Sequence, residues 1–214
     1  FKYAAEPFFF KQSADKNSSL LYAKVMHAFI LFCTVLMIAI SVNLEWMGPL
    51  FLRQEGYEAG LFIVPTLLMG YLLLGVYFNL SIWFKITDQT KYSFWITLVG
   101  AIITIAIIFI FVPIWGYMGG ALSTIVCYFV MCLLCYYYGQ KYYPIPYQTA
   151  KGMFYLLISF VISYLGFYLD IGIAALNFFL KNSLILMYVG LIFWLEKEQI
   201  MSYLPINKKD KSLL

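Results

Sequence analysis

Six apolar runs follow one another along this chain, each near the ~20 residues that a helix needs to cross the hydrocarbon core of a bilayer. They cover Val25 to Leu44, Ala59 to Leu80 with an extension toward Phe84, Phe94 to Val112, Tyr117 to Tyr138, Met153 to Leu169, and Ile173 to Leu195. The composition agrees: 64% of the 214 residues are hydrophobic and only 11% charged, against roughly 25% charged in a soluble domain. Lipid must be the solvent for much of this surface. The expected fold class is all-α, a polytopic membrane bundle of about six transmembrane helices.

Polar and turn-forming residues separate the runs. Trp46-Met47-Gly48-Pro49 is expected to end the first helix, and Thr87 to Lys91 to divide the second from the third. Pro113-Ile114-Trp115-Gly116 reads as a tight turn, Pro144-Ile145-Pro146 as a loop, and Asp170 with Gly172 as the last hairpin. Pro65 sits near the start of the second helix, where its missing N–H costs least. Three regions result: 1–24 as the end of a preceding helix and a cytoplasmic connection, 25–195 as the bundle, and 196–214 as a basic cytoplasmic tail. The chain starts at Phe1 without a methionine or a signal-peptide pattern. It is expected to be the C-terminal part of a longer protein.

Lysine and arginine set the expected orientation. With both ends on the cytoplasmic side, twelve of the fourteen basic residues fall on that side, and only Arg53 and Lys181 on the other. A wrong helix count would scatter them. The net charge of +4 is thereby accounted for by topology and by anionic headgroups near Lys208, Lys209 and Lys211. No nucleic-acid partner is implied.

Ionisable and polar groups inside lipid are costly and invite a functional reading. Asn79 and Ser81, near the end of the second run, suit either a polar cavity or a bond to a neighbouring helix, and Lys85 either a substrate path or snorkelling. Lys181 suits two positions, at the outer interface or in the interior beside Asp170 or a substrate phosphate. Glu6, before Pro7 and among aromatics, suits a cation or proton site or a satisfied interfacial carboxylate. These four, Glu6, Asn79, Lys85 and Lys181, are the candidate substrate or ion pathway. Glu45 and His27 rank below them, the histidine as a solvated boundary residue.

Cys33, Cys127, Cys132 and Cys135 lie in apolar runs and read as small packed residues. Cys132-x-x-Cys135 lacks the soluble context of a redox motif, and His27 is the only histidine to help a metal. No catalytic set, cofactor motif or metal site is expected, and the chain does not read as an enzyme. Gly116, Gly120 and Thr124, spaced by four, are expected to let helices approach closely. Tyr136 to Tyr138, Tyr142, Tyr143 and Tyr147 read as an interfacial aromatic belt.

The order of several segments resembles the last helices of bacterial polysaccharide biosynthesis membrane proteins, the O-antigen-type flippases of the multidrug, oligosaccharidyl-lipid and polysaccharide exporter superfamily. The segments are Phe1 to Phe10; Val64 to Leu68 followed by Gly75 to Trp83; Lys85 to Thr90; Val112 to Ala121 with its Pro-x-x-Gly-x-x-Gly pattern; and Lys141 to Tyr147. The resemblance implies the end of a two-lobed transporter of 12–14 helices in the bacterial inner membrane. Its substrate would be a polyprenyl-diphosphate-linked oligosaccharide, flipped by alternating access. Its partners would be that substrate, membrane lipids and polysaccharide assembly proteins. The alternatives are a drug or metabolite exporter of the same superfamily, or a membrane-embedded polysaccharide polymerase or ligase.

Overall fold

A computed structural model describes Pro7, Lys11 and residues 18–51 and 58–197. The regular elements among the described residues are all helical: α1 Ser18–Val42, α2 Leu44–Phe51, a 3₁₀ turn Glu58–Ile63, α3 Val64–Leu80, α4 Ile82–Ile86, α5 Lys91–Trp115, α6 Tyr117–Tyr142, α7 Thr149–Tyr168 and α8 Ala174–Leu195. Hydrocarbon offers no partner to a backbone N–H or C=O, so a spanning segment must satisfy its own, as a helix does. Six of these helices are long and apolar enough to cross a membrane, with Gly60 to Ile86 counting as one span. The shortest, α7, has 20 residues. At 1.5 Å per residue that is about 30 Å, the thickness of the hydrocarbon core. The expected all-α polytopic bundle of six spans is therefore what the chain forms.

The helices pack in a chain of neighbours. Helix α5 lies on α6, α6 on α3, α3 on α1, and α1 on both α7 and α8. The core runs along this seam through Ile38, Leu72, Tyr77, Trp83, Met131 and Cys135. The two outermost spans are bare by comparison: 11% of the apolar stretch of α5 or α8 is buried, against 44% for Gly60 to Ile86. Phe109 and Ile114 on α5 and Phe179 and Leu186 on α8 are each more than two-thirds exposed. Apolar surface of that kind is what lipid solvates.

Three local expectations change. Helix α1 ends at Val42 rather than at Trp46-Met47-Gly48-Pro49, which belongs instead to the separate helix α2. Asn43 makes the break. Its amide donates back to Ala39 O at 2.9 Å, and its carbonyl accepts from Trp46 N and Met47 N, each at 3.0 Å. Asparagine competes with the helix ladder in this way. Second, Pro113 is inside the last turn of α5, and the reversal falls on Gly116 at φ +54°, a region closed to most side chains.

The third change concerns close approach. Nothing lies within 4 Å of where a Cβ on Gly120 would sit. A Cβ on Gly119 would be 2.6 Å from the carbonyl carbon of Phe111, so this is the glycine that closes the α5–α6 hairpin. Thr124 does meet a small residue, on another helix: a Cβ on Gly70 would be 2.8 Å from its Cγ2. Which face of α6 meets which neighbour depends on the packing order, and spacing alone does not give it.

Candidate functional site

Helix α8 contributes few buried apolar residues, yet it carries two of the molecule's buried charges, one toward each end. Toward its N-terminus is Lys181, 1% exposed. Its Nζ lies 2.7 Å from Glu45 Oε1 on the first turn of α2. Beside this pair, Asn182 and Asn43 exchange amide hydrogen bonds at 3.3 Å. Lys181 is buried against the bundle rather than exposed on its surface. Its partner is Glu45, neither Asp170 nor a surface of headgroups.

Asp170 is engaged elsewhere. Its Oδ1 accepts from Gly172 N at 2.9 Å and from Asn177 Nδ2 at 2.6 Å, while Asn177 Oδ1 accepts from Ile171 N at 2.8 Å. The Gly172 N–H, then the Asn177 amide, hold the Asp170 carboxyl below its ordinary range. Between these groups is a cleft of about 370 Å³ lined by Glu45, Trp46, Asp170, Gly172, Ala174 and Asn177. Trp46 is half-exposed there, with Phe178 set edge-on to its ring at 5.9 Å.

At the C-terminal end of α8, Glu196 is 2% exposed. Its Oε1 accepts from the Tyr155 hydroxyl at 2.8 Å, and Lys151 Nζ lies 3.2 and 3.3 Å from its two oxygens. His27 Nε2 on α1 is 3.3 Å from Oε1. Burial pushes the Glu196 carboxyl up. The Tyr155 hydroxyl, the Lys151 ammonium and His27 outweigh it, and the net shift is downward. A carboxylate held by the Tyr155 hydroxyl and the Lys151 ammonium stays ionised despite its burial. Helix α8 is thus pinned by charge at both ends, to α2 at one and to α7 at the other, where His27 of α1 lies alongside.

His27, expected as a solvated boundary residue, and Glu196, expected at the start of the tail, both belong to this second cluster. Three helices bring the four groups together, and no spacing along the chain announces them. The one signal was an acidic residue directly after a long apolar run.

The remaining candidates behave locally. Asn79 is buried, and its amide donates to Gly75 O of its own helix at 3.0 Å. Its Oδ1 has no hydrogen-bond partner among the described residues. Ser81 donates to Phe78 O at 2.8 Å. Among the described residues neither bonds a neighbouring helix, one of the two roles open to them. Lys85 closes the short helix α4 in its last turn, half-buried. Glu6 lies outside the described residues, as do Arg53, Lys208, Lys209 and Lys211.

The cysteines are packed: Cys127, Cys132 and Cys135 are buried, and Cys132 Sγ donates to Leu73 O at 3.3 Å. The tyrosine-rich end is more than a belt. Trp83, 1% exposed, stacks on Tyr142 at 5.8 Å and donates its Nε1–H to Cys135 O at 3.1 Å. Tyr92 packs against Trp83, Tyr138 and Tyr142, and its hydroxyl bonds that of Tyr142 at 2.5 Å.

Comparison with protein-family models, with curated proteins and with solved structures gives no match for this chain.

Proposed function

We propose that this chain is the C-terminal part of a two-lobed flippase that carries polyprenyl-diphosphate-linked oligosaccharide across the bacterial inner membrane. Both ends of the chain are then cytoplasmic. The observation that carries the reading is Lys181, a buried lysine in a membrane span whose counter-ion is the half-exposed Glu45. A charge at such depth is expensive and marks a path for polar cargo. Glu45 is reached from the cleft, so an incoming diphosphate can exchange with it for the same ammonium. The exchange needs no new buried charge. Exposed Trp46 and the hydrogen-bonding groups of Asp170 and Asn177 line the same cleft, where sugar hydroxyls would find partners. The resemblance of the segments between Phe1 and Tyr147 to O-antigen-type flippases supports the same reading.

The test uses the full-length gene. It is deleted, then restored as wild type, Lys181→Gln or Lys181→Arg, and lipid-linked sugar in the outer leaflet is labelled with a membrane-impermeant probe on spheroplasts. The expected result is cytoplasmic accumulation in the deletion, rescue by wild type, partial rescue by Lys181→Arg and none by Lys181→Gln at equal protein level. Normal outer-leaflet labelling with no polymer would transfer the assignment to an embedded polymerase or ligase. No change in either would leave the exporter reading.

A further inference from the structure

A second cavity, of about 210 Å³, runs along the side of the bundle between α6 and α7, floored by α1 and α3. The two wall helices pack on α3 and α1 rather than closely on each other, which leaves the slot. Its floor is apolar, with Met26, Ile30, Leu73 and Val76. Its lips are Leu133 and Met153, 51% and 43% exposed, so it opens sideways where hydrocarbon surrounds the protein. Along α1 it reaches from Ala23 to Ile30, about 11 Å at the helical rise. At one end it turns polar, at His27, Tyr147, Gln148 and Thr149.

That end has the charge an acidic headgroup needs. Chain reversals bring Lys24, Lys85, Lys91, Lys141 and Lys151 to the same end of the bundle. Lys151 lies one residue before Gly152 of the groove wall and is half-exposed, so it can serve a second anion beside Glu196. Helix α7 begins there with no side-chain cap, and its first N–H groups favour an anion. A partner helix, about 10 Å across, does not enter a slot of this volume. A single methylene chain does.

We infer that this groove holds one acyl chain of an anionic phospholipid, its phosphate seated at the lysine-bearing end beside Lys151 and the N-terminus of α7. The lipid would fasten α6 to α7 where the protein itself leaves a gap. The inference stands apart from the transport reading, since it rests on the groove and its lysine-bearing end and not on whether the chain moves sugars.

The test is native mass spectrometry of the full chain released from nanodiscs of phosphatidylglycerol mixed with phosphatidylcholine. Wild type is expected to keep about one phosphatidylglycerol, at least tenfold enriched over phosphatidylcholine. Gly152→Leu, which fills the slot against Ile30, is expected to lose it, and Lys151→Gln to cut the enrichment several-fold. Should Gly152→Leu fail to fold, Met153→Trp on the exposed lip supplies the block. Equal retention of the two lipids, retention unchanged by both blocking variants, or a retained polyprenyl lipid in protein from native membranes would each overturn the inference.

Discussion

Lys181 Nζ and Glu45 Oε1 are 2.7 Å apart and join the last span to the short helix after the first. The lysine is buried and the glutamate side chain 49% exposed, so the two ends of this bond have different stakes. Removing the glutamate strands a buried charge, whereas removing the lysine frees a carboxylate that water can reach. Glu45→Gln is expected to cost about 2 kcal/mol, below the range for a fully buried pair because one partner is solvated. Lys181→Met should cost less, and the double variant should be more stable than Glu45→Gln alone. Thermal melts in detergent decide it. A Glu45→Gln protein as stable as wild type would show that the pair is dispensable.

The opposite end of α8 gives a dependence on pH. The Glu196 carboxyl is held below its ordinary value by Tyr155, Lys151 and His27 against the upward push of burial. The unfolded chain then binds the proton more readily than the folded one, and stability rises with pH across that window. The stabilisation is complete above the ordinary glutamate value of about 4.3 and is lost as pH falls through the lower folded value. Melting temperatures between pH 7 and pH 3 should drop for wild type and change less for Glu196→Gln. Parallel curves would remove Glu196 from the account.

Two adjacent glycines should behave differently. Gly119→Ala drives a methyl into the Phe111 backbone, which cannot swing aside, at about 1–3 kcal/mol. Gly120→Ala meets nothing within 4 Å and gains helix propensity, so it should be neutral or mildly stabilising. Melts of the two variants side by side test the α5–α6 contact, and equal losses would refute it.

Trp83 ties α4 to α6 through its ring and its N–H. Trp83→Phe keeps most of the packing but leaves Cys135 O without that donor, at about 1 kcal/mol. Trp83→Ala should cost about 3–5 kcal/mol. Chemical denaturation in detergent separates the two. A similar cost for both would mean that the hydrogen bond, not the ring, is what matters.

Orientation is open to direct labelling. With cytoplasmic ends, a cysteine replacing Asp88 should be shielded from a membrane-impermeant maleimide in intact cells, and one replacing Ile171 should react. These positions lie in loops at opposite ends of the bundle. The reverse pattern would invert the topology.

The spans were legible in the sequence because the solvent enforces them. A run of about 20 apolar residues has few options in lipid other than a helix, so Ile173 to Leu195 anticipated α8 to within one residue, while Val25 to Leu44 found α1 but missed its start at Ser18, seven residues earlier and inside the expected connection. The turn at Gly116 and the packed cysteines followed from equally local physics. Partnership did not. Lys181 was visible as an anomaly, but Asp170 is 11 residues from it along the chain and Glu45 136, and only the approach of α2 to α8 decided the pairing. Glu196, Lys151 and His27 meet because α1, α7 and α8 converge. The groove exists because α6 and α7 each prefer another neighbour. Burial of apolar surface from water is read along a chain, residue by residue. Ion pairs and cavities are properties of the spaces between helices, which the chain alone does not contain.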